Sequence, residues 1–430
     1  MNLVTFENDY SCGAHPKVLQ ALLETNLIPQ TGYGEDGFSA SARDKIRAAC
    51  GCPGAEIHFL SGGTQTNAVV LGALLHPWEG VVAAQTGHIH VHEAGAPEAL
   101  GVKVLALPDH QGKLDAGELR SLVSTLLADE NVEHMVYPGV VYLSHPTEWG
   151  TLYTRGELEA IAGVCRDYGL RLFLDGARLA YGLAARDTDV DLPLLASLCD
   201  AFYVGGTKCG ALCGEAVVFP RQAPPHFLNY MKKHGAMLAK GRLCGVQFDA
   251  LFTDGLYWEI GRRGIETAER LKTILAKHRV PCYLETPTNQ QFAILENEQY
   301  SALREQVRIG YWSAPDPEHT IVRFATAWYT TNGYLTKLDR ILGQFSKEEA
   351  KMGKFYPLIK HLSNRTENVL TLTFSDIEQI ISEPLCYSAY TYRAYWVPSR
   401  THVLPNAILE AGYEIDEVDL AGRRIVLKKR

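Results

Sequence analysis

Strands alternate with helices throughout residues 56–219, and this alternation constrains the fold more than any other feature of the sequence. Short apolar runs typical of buried strands, such as Glu56–Leu60 and Val102–Leu107, are separated by stretches with helical spacing, such as Arg155–Tyr168. Strands joined by helices run parallel, because each connection returns the chain to the starting edge of the sheet. The sequence therefore predicts an α/β fold, in which a large and mostly parallel sheet carries helices on both faces.

A lysine surrounded by glycines follows one of these strands. Ala201–Val204 leads into Gly205-Gly206-Thr207-Lys208, and a second apolar run, Ala216–Phe219, comes shortly after it. Glycines allow tight turns and the close approach of a bulky group. This setting suits a lysine amine that forms a Schiff base with an aldehyde. A surface lysine in a glycine-rich hairpin is the alternative that this segment alone leaves open.

An aspartate ends another predicted strand, 33 positions before the lysine. The run Leu172–Leu174 is followed by Asp175, and Arg178 comes three residues later. In enzymes that use pyridoxal phosphate (PLP), an aspartate pairs with the pyridinium nitrogen while a lysine holds the aldehyde. Asp175 and Lys208 together therefore indicate a PLP site.

The segment after the first strand of this region has the outline of a phosphate-binding loop. Glu56–Leu60 runs into Ser61-Gly62-Gly63-Thr64, and an apolar helix is predicted over Ala68–Leu75. Free N–H groups and the positive end of a helix dipole favour an anion at such a place. A glycine turn followed by an ordinary Ser/Thr helix cap is the alternative.

Three alternating histidines, His88, His90 and His92, precede Glu93. They could ligate a metal if they lay on one face of a strand, which would make the protein a colourless metallohydrolase containing zinc or manganese. They could instead supply one imidazole to stack on a flat cofactor ring, with the neighbouring histidines as acid–base groups. The sequence leaves both readings open.

Two further polar residues stand where a ligand would bind. His145 lies in the polar loop Ser144–Thr151, beyond the end of a predicted strand, and ligands of open α/β sheets bind at such ends. Arg323 lies in the otherwise apolar strand Ile321–Phe324. It is either an edge-strand arginine or a bidentate clamp on a substrate carboxylate.

The chain divides into four predicted parts. These are an N-terminal arm and helix (1–45), a large α/β domain (46–250), a small α+β domain (251–345) and an appended α+β module (350–430). A charged run at 346–351 marks the last boundary. Residues 346–430 carry 12 Lys/Arg and 11 Asp/Glu, a net charge of +1, whereas residues 1–345 carry 29 and 38, a net charge of −9. This shift favours a separate C-terminal module.

Composition excludes several classes of partner. The net charge of −8 argues against a nucleic-acid-binding surface, and no apolar run approaches the roughly 20 residues of a membrane span. The N-terminus has no pattern of a secretion signal. Ten cysteines are scattered without a metal-binding pair, which is typical of reduced thiols. We therefore expect a cytoplasmic protein without a metal centre.

Taken together, these segments resemble the low-specificity L-threonine aldolases. They are PLP enzymes of the β-eliminating lyase group and have the aspartate aminotransferase fold (fold type I). The resemblance covers about residues 5–345. It is carried by Gly13-Ala14-His15-Pro16, Tyr33-Gly34-Glu35-Asp36, Gly63-Thr64-Gln65, His88 with Glu93-Ala94-Gly95, Asp175-Gly176-Ala177-Arg178-Leu179, and Gly205-Gly206-Thr207-Lys208 with Gly210-Ala211.

The resemblance implies roles around the cofactor. Lys208 corresponds to the lysine that holds PLP, Asp175 to the partner of the pyridinium nitrogen, and His88 to the histidine that stacks on the ring. The remaining residues expected to bind the cofactor are Gly62, Gly63, Thr64, Glu93 and Arg178.

The resemblance also implies roles around the substrate. Ser11, Arg178 and Arg323 correspond to groups that hold the substrate carboxylate or the cofactor edge, and His145 to a residue near the substrate hydroxyl. Tyr33 corresponds to a residue that reaches a neighbouring subunit's site. It therefore implies a homodimer or homotetramer with shared sites.

The implied activity is retro-aldol cleavage of L-threonine or L-allo-threonine to glycine and an aldehyde, through a Schiff base between the substrate amine and PLP. His88, His92 and His145 are the candidate bases for the β-hydroxyl proton, and the sequence does not choose among them. Another PLP-dependent β-elimination, or amino-acid racemisation, is the alternative on the same fold.

The last 80 or so residues resemble a small domain of uncharacterised function, which aldolase chemistry does not require and which could bind a partner.

Overall fold

The alternation predicted for residues 56–219 forms a seven-stranded sheet in the computed structural model, which describes residues 4–398 and 403–430. The chain divides into two units, the first ending at Asp339 and the second beginning at Arg340. The strands of the first unit are β1 (Val4–Phe6), β2 (Glu56–Leu60), β3 (Glu79–Ala84), β4 (Lys103–Leu107), β5 (Tyr137–Ser144), β6 (Arg171–Asp175), β7 (Ala201–Gly205), β8 (Glu215–Phe219), β9 (Cys282–Leu284), β10 (Gln290–Glu296), β11 (Val307–Ser313) and β12 (His319–Ala325).

Helices connect these strands. They are α1 (Pro16–Thr25), α2 (Gly37–Ala49), α3 (Gly63–Leu74), α4 (His88–Val91), α5 (Ala116–Leu127), α6 (Arg155–Tyr168), α7 (Leu179–Ala184), α8 (Leu192–Leu198), α9 (Phe227–Lys233), α10 (Arg242–Leu251), α11 (Leu256–Lys277) and α12 (Asn297–Arg304). A further helix, α13 (Asn332–Met352), contains the boundary between the two units. No helix in the described part of the chain is long and apolar enough to cross a membrane.

The large sheet has the strand order β2-β8-β7-β6-β5-β3-β4, and β8 alone runs against its neighbours. Because β8 is reversed, its first residue lies at the same edge as the last residues of the other strands. Glu215 is in register with both Leu60 and Gly205, and Ser144 is in register with Asp175. The segments that follow β2, β5, β6 and β7 therefore meet at one edge of the sheet.

Apolar side chains cover both faces of this sheet. Along β6, Leu172 and Leu174 pack into the hydrophobic cluster on one face, whereas Phe173 packs into the cluster on the other. Successive strand residues point to opposite faces, so a sheet buried on both sides needs continuous apolar runs. This is why the strands of residues 56–219 read as unbroken apolar runs in the sequence.

A second sheet of the first unit has the order β1-β11-β12-β10-β9. The apolar runs Cys282–Thr286, Phe292–Glu296 and Ile321–Phe324 predict β9, β10 and β12, whereas the sequence predicts neither β1 nor β11. It assigns the start of the chain to an N-terminal arm, yet Val4 pairs in parallel with Val307. β1 has only three residues, which is too short to show a periodicity, so only its long-range pairing reveals it.

Two predicted helices differ from the observed ones at their ends. α3 begins at Gly63, five residues before the predicted start, although glycine and threonine are poor helix formers. The sequence predicts a helix over Phe227–Ala239, but α9 ends at Lys233. It also predicts a long helical stretch over Gln247–Lys277 with a break at Thr253-Asp254-Gly255. This break separates α10 from α11, and Gly255 has a left-handed backbone there.

The second unit has its own hydrophobic core. Its elements are α14 (Tyr356–Ser363), β13 (Val369–Thr373), α15 (Phe374–Ile381), α16 (Tyr387–Thr391), α17 (Val403–Glu410), β14 (Tyr413–Asp419) and β15 (Arg424–Lys429). The three strands form an antiparallel sheet in the order β13-β15-β14. Trp396, Leu358 and Ile425 are among the buried residues between this sheet and its helices. The charged run at 346–351, predicted to be a boundary, lies within α13.

Candidate active site

A cavity of about 240 Å³ lies at the edge of the large sheet where the strand ends meet. Its position follows from the register described above, because the connecting segments leave the sheet there. The residues that line it are Tyr10, Gly63, Thr64, Asn67, His88, Ser144, Pro146, Glu148, Asp175, Ala177, Arg178, Tyr203, Thr207, Lys208 and Glu215. Six of the site residues predicted from the sequence are thus in one place: Gly63, Thr64, His88, Asp175, Arg178 and Lys208.

Close backbone packing brings the aspartate and lysine segments together. The N–H of Gly205 donates to the carbonyl of Gly176 at 3.0 Å. A Cβ on Gly176 would lie 2.0 Å from the carbonyl oxygen of Tyr203, and one on Gly205 would lie 2.4 Å from that of Ala177. Glycine is therefore required at both positions by space rather than by backbone angle.

Asp175 is held by hydrogen bonds from three directions. Tyr142 Oη donates to Asp175 Oδ2 at 2.6 Å, Asn67 Nδ2 donates to the same oxygen at 3.1 Å, and the N–H of Ala177 donates to Oδ1 at 2.9 Å. Burial alone would raise the pKa of Asp175, but the charge of His88 and the hydrogen bonds outweigh it and lower the pKa. The carboxylate is therefore ionised at neutral pH.

His88 is oriented by a buried glutamate. Its Nδ1 lies 2.9 Å from Glu93 Oε1, and the Glu93 side chain is fully buried. Asn67 Nδ2 donates to the same Glu93 oxygen at 2.7 Å, so Asn67 links Glu93 to Asp175. Glu93 therefore acts by orienting His88 rather than by lining the cavity.

Lys208 has an amine whose pKa is lowered. Burial is the main cause, and the nearby positive charge of Arg178 adds to it, although Asp9, Asp175 and Glu215 act in the opposite direction. A lowered pKa increases the neutral fraction of the amine near pH 7. A neutral amine is the form that attacks an aldehyde.

The N-terminus of α3 forms another wall of the cavity. Gly62 is the N-cap, and Gly63 and Thr64 line the cavity from the first turn. The first N–H groups of a helix have no intrahelical acceptor, so they are available to an anion. A Cβ on Gly62 would meet nothing within 4 Å, while one on Gly63 would lie 3.3 Å from Tyr203 Oη.

Arg178 reaches the cavity as one half of a buried ion pair. Its Nε and Nη2 donate to the two carboxylate oxygens of Asp9 at 2.7 and 3.0 Å. Asp9 is 1% exposed and also accepts from Asn289 Nδ2 at 2.9 Å. The bidentate geometry fixes the guanidinium in the cavity wall.

Arg323 lies close to this pair but outside the lining of the cavity. Its Nη1 donates to Gln290 Oε1 at 3.1 Å and its Nη2 to the carbonyl of Glu7 at 3.3 Å, while its buried Nε has no partner among the described residues. Burial and the charge of Arg178 lower the pKa of Arg323. Two adjacent guanidinium groups attract an anion between them.

Other predicted residues lie away from the cavity. Ser11 is exposed and its hydroxyl donates to Asn8 Oδ1 at 2.8 Å, so Tyr10 rather than Ser11 forms the cavity wall. Tyr33 is 52% exposed and lines a different depression, with Lys232 Nζ 4.7 Å from its ring centre. His92 is exposed at the end of α4.

His145 differs from its expected position near the substrate. Its side chain is completely buried, its ring centre lies 6.4 Å from that of Tyr153, and neither ring nitrogen has a partner among the described residues. Ser144 and Pro146, on either side of it, line the cavity instead. Because neighbouring side chains alternate at a strand end, the imidazole points away from the cavity. Burial lowers the pKa of His145 to about 4.

The histidine segment is a single helical turn rather than the strand that a metal site would need. His88 is bound to Glu93, and His90 is exposed. Within residues 4–398 and 403–430, no group of three or more His, Cys, Asp or Glu side chains is arranged to hold a metal ion.

Several residues of the site were not identified from the sequence. They are Asp9, Tyr10, Asn67, Tyr142, Glu148, Tyr203 and Glu215. Asn67 could have been found, because it lies one helical turn after Thr64.

Glu215 is the first residue of β8, and burial raises its pKa to about 8 even though Gly206 N–H donates to its Oε2 at 3.0 Å. Its place beside Lys208 depends on the reversed direction of β8.

The chemistry of the cavity wall fits PLP, which combines a pyridine nitrogen, an aldehyde and a phosphate. Asp175 supplies the carboxylate for the nitrogen, Lys208 the amine for the aldehyde, and the start of α3 the N–H groups for the phosphate. The open space beside Gly62 leaves room for an anion at the start of α3, while Gly63 lies close to Tyr203 Oη. A parallel sheet with one reversed strand and this set of groups defines the fold type I class of PLP-dependent enzymes.

Comparison with known proteins agrees with this class. The chain belongs to the β-eliminating lyase family, whose profile matches residues 13–298. It is 39% identical to a threonine aldolase from Leishmania major, whose structure superposes with a TM-score of 0.77 over 80% of this chain and 99% of that protein. It is 30% identical over 275 residues to the low specificity L-threonine aldolase of a Pseudomonas species, covering 63% of this chain and 78% of that relative. The predicted resemblance is therefore confirmed.

Two further similarities concern the fold and the C-terminal unit. An aspartate aminotransferase from Thermus thermophilus shares the fold, with a TM-score of 0.59 over 80% of this chain and 91% of that protein, at 15% identity. This confirms the predicted fold class. Residues 355–430 match a domain of unknown function.

Proposed function

We propose that this protein uses PLP to cleave L-threonine and L-allo-threonine to glycine and an aldehyde. The observation that carries the proposal is the meeting of Asp175, Lys208 and His88 in one cavity, in a chain whose relatives are threonine aldolases. Glycine and acetaldehyde are the products expected from threonine itself.

Different residues of the cavity wall would bind different parts of the cofactor. Asp175 would hold the pyridine nitrogen in its protonated form, and Lys208 would hold the aldehyde carbon. Gly62, Gly63 and Thr64 would bind the phosphate, and His88, fixed by Glu93, would lie against the ring. Bound in this way, PLP withdraws electrons from the substrate Cα and weakens the bonds to that atom.

Arg178 and Arg323 would bind the substrate carboxylate. Arg178 is fixed in the cavity wall by Asp9, and Arg323 has a buried Nε that no described residue satisfies. A carboxylate placed between them would satisfy that donor and offset the repulsion between the two guanidinium groups. Binding there would fix the orientation of the amino acid, and the orientation decides which bond to Cα breaks.

The first test is the release of glycine and acetaldehyde from L-threonine by purified protein with added PLP. We expect wild-type protein to be yellow and active, and Lys208→Ala to lose at least about 10³-fold in kcat. Lys233→Ala, which changes an exposed lysine on α9, is the matched control and should behave as wild type.

Each other outcome changes a different part of the proposal. The protein could be yellow and release nothing from threonine, yet act on an amino acid with a β-leaving group or racemise one. The proposed reaction would then be wrong, while the proposed cofactor would stand. Protein that PLP cannot colour would overturn the proposal. A Lys208→Ala variant with normal turnover would overturn the role of the lysine.

We also propose that the protein works in the cytoplasm as a homodimer or homotetramer. All ten cysteines lie in the described part of the chain and none forms a disulfide, which suits a reducing compartment. Leu23 and Leu27, in and just after α1, are 71% and 89% exposed, and Tyr33 follows them. Exposed apolar side chains of this kind favour a subunit interface. Light scattering coupled to size-exclusion chromatography measures the oligomer directly.

A further inference from the structure

Glu148 is a buried carboxyl group in the cavity wall that the roles assigned above do not use. It lies in the segment that follows β5, is only 7% exposed, and lines the cavity together with Asp175, His88 and Lys208. A carboxyl group buried at the wall of a cavity needs hydrogen-bond partners or a ligand to offset its lost hydration.

Only one of the two carboxyl oxygens of Glu148 is satisfied. Oε1 accepts from Ser144 Oγ at 2.5 Å and from the backbone N–H of His88 at 2.9 Å. These two bonds come from different segments of the chain, so they fix the orientation of the carboxyl group. Oε2 is buried and has no partner among the described residues. The carboxyl group is therefore held in place with one free acceptor atom.

The surroundings of Glu148 suit proton exchange. Burial is the main reason that its pKa is raised, and the negative charge of Asp175 acts in the same direction. The hydrogen bond from Ser144 and the positive charge of His88 act against this shift. The other charged or titratable groups that face Glu148 are Arg178, Tyr142 and Tyr153. A carboxylate whose pKa is raised is a stronger base once it is ionised, so it accepts the hydroxyl proton more readily.

The histidines predicted as bases are less well placed. His88 has its Nδ1 on Glu93 and a ring expected to lie against the cofactor. His92 is exposed and outside the cavity lining, and the ring of His145 points away from the cavity. Of these three histidines only His88 lines the cavity, and its ring is expected to be occupied by its contact with the cofactor.

We propose that Glu148 is the catalytic base that removes the proton from the β-hydroxyl group of the substrate, through its free oxygen Oε2. The inference rests on the proposed function, because it assigns a residue to the cleavage reaction. It also assigns supporting roles: Ser144 and the backbone of His88 position the carboxyl group.

The proposed step balances in protons and electrons. Oε2 forms a bond to the hydroxyl proton, and the electron pair of that O–H bond forms the carbonyl of the aldehyde product. The Cα–Cβ bond breaks, and its electron pair stays with Cα. Cα then takes up a proton while Glu148 releases the one it accepted, so the glycine product and the starting carboxylate are both restored.

The test compares Glu148→Gln with wild type in three measurements on the cofactor-loaded protein. Cleavage of L-threonine should fall by about 10²–10⁴ in kcat, the usual contribution of a general base. Exchange of the glycine Cα hydrogen with solvent needs no β-hydroxyl group, so it should stay within about threefold of wild type. Glycine binding, followed by the change in cofactor absorption, should be unchanged. Glutamine keeps the shape of the side chain and an oxygen to accept from Ser144, so the fold is retained.

The pH profile gives an independent readout. For wild type, kcat/KM for threonine should rise with pH through the pKa of Glu148, above the usual range of a glutamate, because only the ionised carboxylate can accept the proton. That limb should be missing from the profile of Glu148→Gln. Loss of the limb from His92→Asn, together with its retention in Glu148→Gln, would assign the base to His92 and overturn the inference.

Two further results would overturn the inference without touching the proposed function. Cleavage of threonine by Glu148→Gln within about tenfold of wild type, while Lys208→Ala is inactive, would assign the base to another group. Equal losses in cleavage, glycine exchange and glycine binding would show that Glu148 only supports the site. If wild type itself fails to cleave threonine, it is the proposed function that fails, and this is visible before any Glu148 variant is compared.

Discussion

At the scale of single residues, the site is dominated by carboxyl groups that share one buried edge of the sheet but differ in their protonation. Asp175 receives three hydrogen bonds and has a lowered pKa, whereas burial raises the pKa of Glu215 to about 8 despite hydrogen bonds from the Thr207 side chain and from the Gly206 N–H, the latter at 3.0 Å. Burial acts on both in the same direction, so the number and charge of the neighbouring donors decide the difference. Asp175 can therefore pair with a cationic ring nitrogen, and Glu215 carries a proton at neutral pH.

The pKa of Glu215 predicts how stability changes with pH. In the unfolded chain the carboxyl group ionises near 4.5, but in the folded chain it keeps its proton to about 8. Between these values the unfolded state releases the proton more readily, so the free energy of unfolding falls as the pH rises. Glu215→Gln should remove about 3–5 kcal/mol of this fall. In urea unfolding, the free energy of unfolding of the variant should therefore rise relative to that of wild type from pH 5 to pH 8. Glu159→Gln, at an exposed position of α6, should show no such difference. Parallel curves for wild type and Glu215→Gln would contradict the buried, protonated state.

The local sequence predicted the lysine and the aspartate of the site but not its other buried acids. Lys208 and Asp175 were predicted because glycines and apolar strands mark their positions in the sequence. Glu148 and Asp9 were not, because nothing in the local sequence distinguishes them from solvated acids; their importance comes from burial and from partners such as Arg178. His145 was placed in the site because it follows a strand, but which of two adjacent side chains faces a cavity depends on how the strand ends.

At the scale of elements, the approach of β6 to β7 determines whether the aspartate and the lysine share a site. Gly176 and Gly205 touch through their backbones, with no space for a side chain on either. β7 is also held by β8 on its other side, so it cannot move away. The sequence predicted both strands and their glycines, but not which strands are neighbours, since strand order arises from long-range contacts.

Gly205→Ala should therefore damage both the fold and the site. The new methyl group would lie 2.4 Å from the carbonyl oxygen of Ala177, and the backbone on both sides is fixed by hydrogen bonds. We expect a loss of at least about 3 kcal/mol in the free energy of unfolding, and weaker PLP binding in an absorption titration. Gly156→Ala is the matched control, because a Cβ there meets nothing within 4 Å. An equal effect of the two substitutions would show that the contact between β6 and β7 is looser than described.

At the scale of the whole molecule, the chain consists of a catalytic unit and a second unit with its own core. The second unit has buried aromatic and aliphatic residues from all of its helices and from a three-stranded sheet. The shift in charge and composition predicted this separation, but the exact boundary was hidden because α13 continues through it.

A chain that ends at Gly353 should keep threonine cleavage. Every residue assigned to the site lies before Asp339, and α13 is kept whole. We expect kcat/KM within about twofold of the full chain, because domains with separate cores fold and act independently. Residues 355–430 produced alone should unfold cooperatively on heating in circular dichroism. Loss of cleavage in a shortened chain that still binds PLP would show that the second unit contributes to catalysis.

The hydrogen bonds that join Tyr142, Asp175, Asn67, Glu93 and His88 form one continuous line across four segments of the chain. The two groups expected to hold the cofactor ring, Asp175 at its nitrogen and His88 against its face, keep their geometry only while β5, β6, α3 and the segment after β3 are all in place. The yellow colour of bound PLP should therefore report whether the large sheet is folded. It would fade at the temperature at which the large sheet melts and stay unchanged when the C-terminal unit melts alone, so a simple absorbance scan would separate the two events.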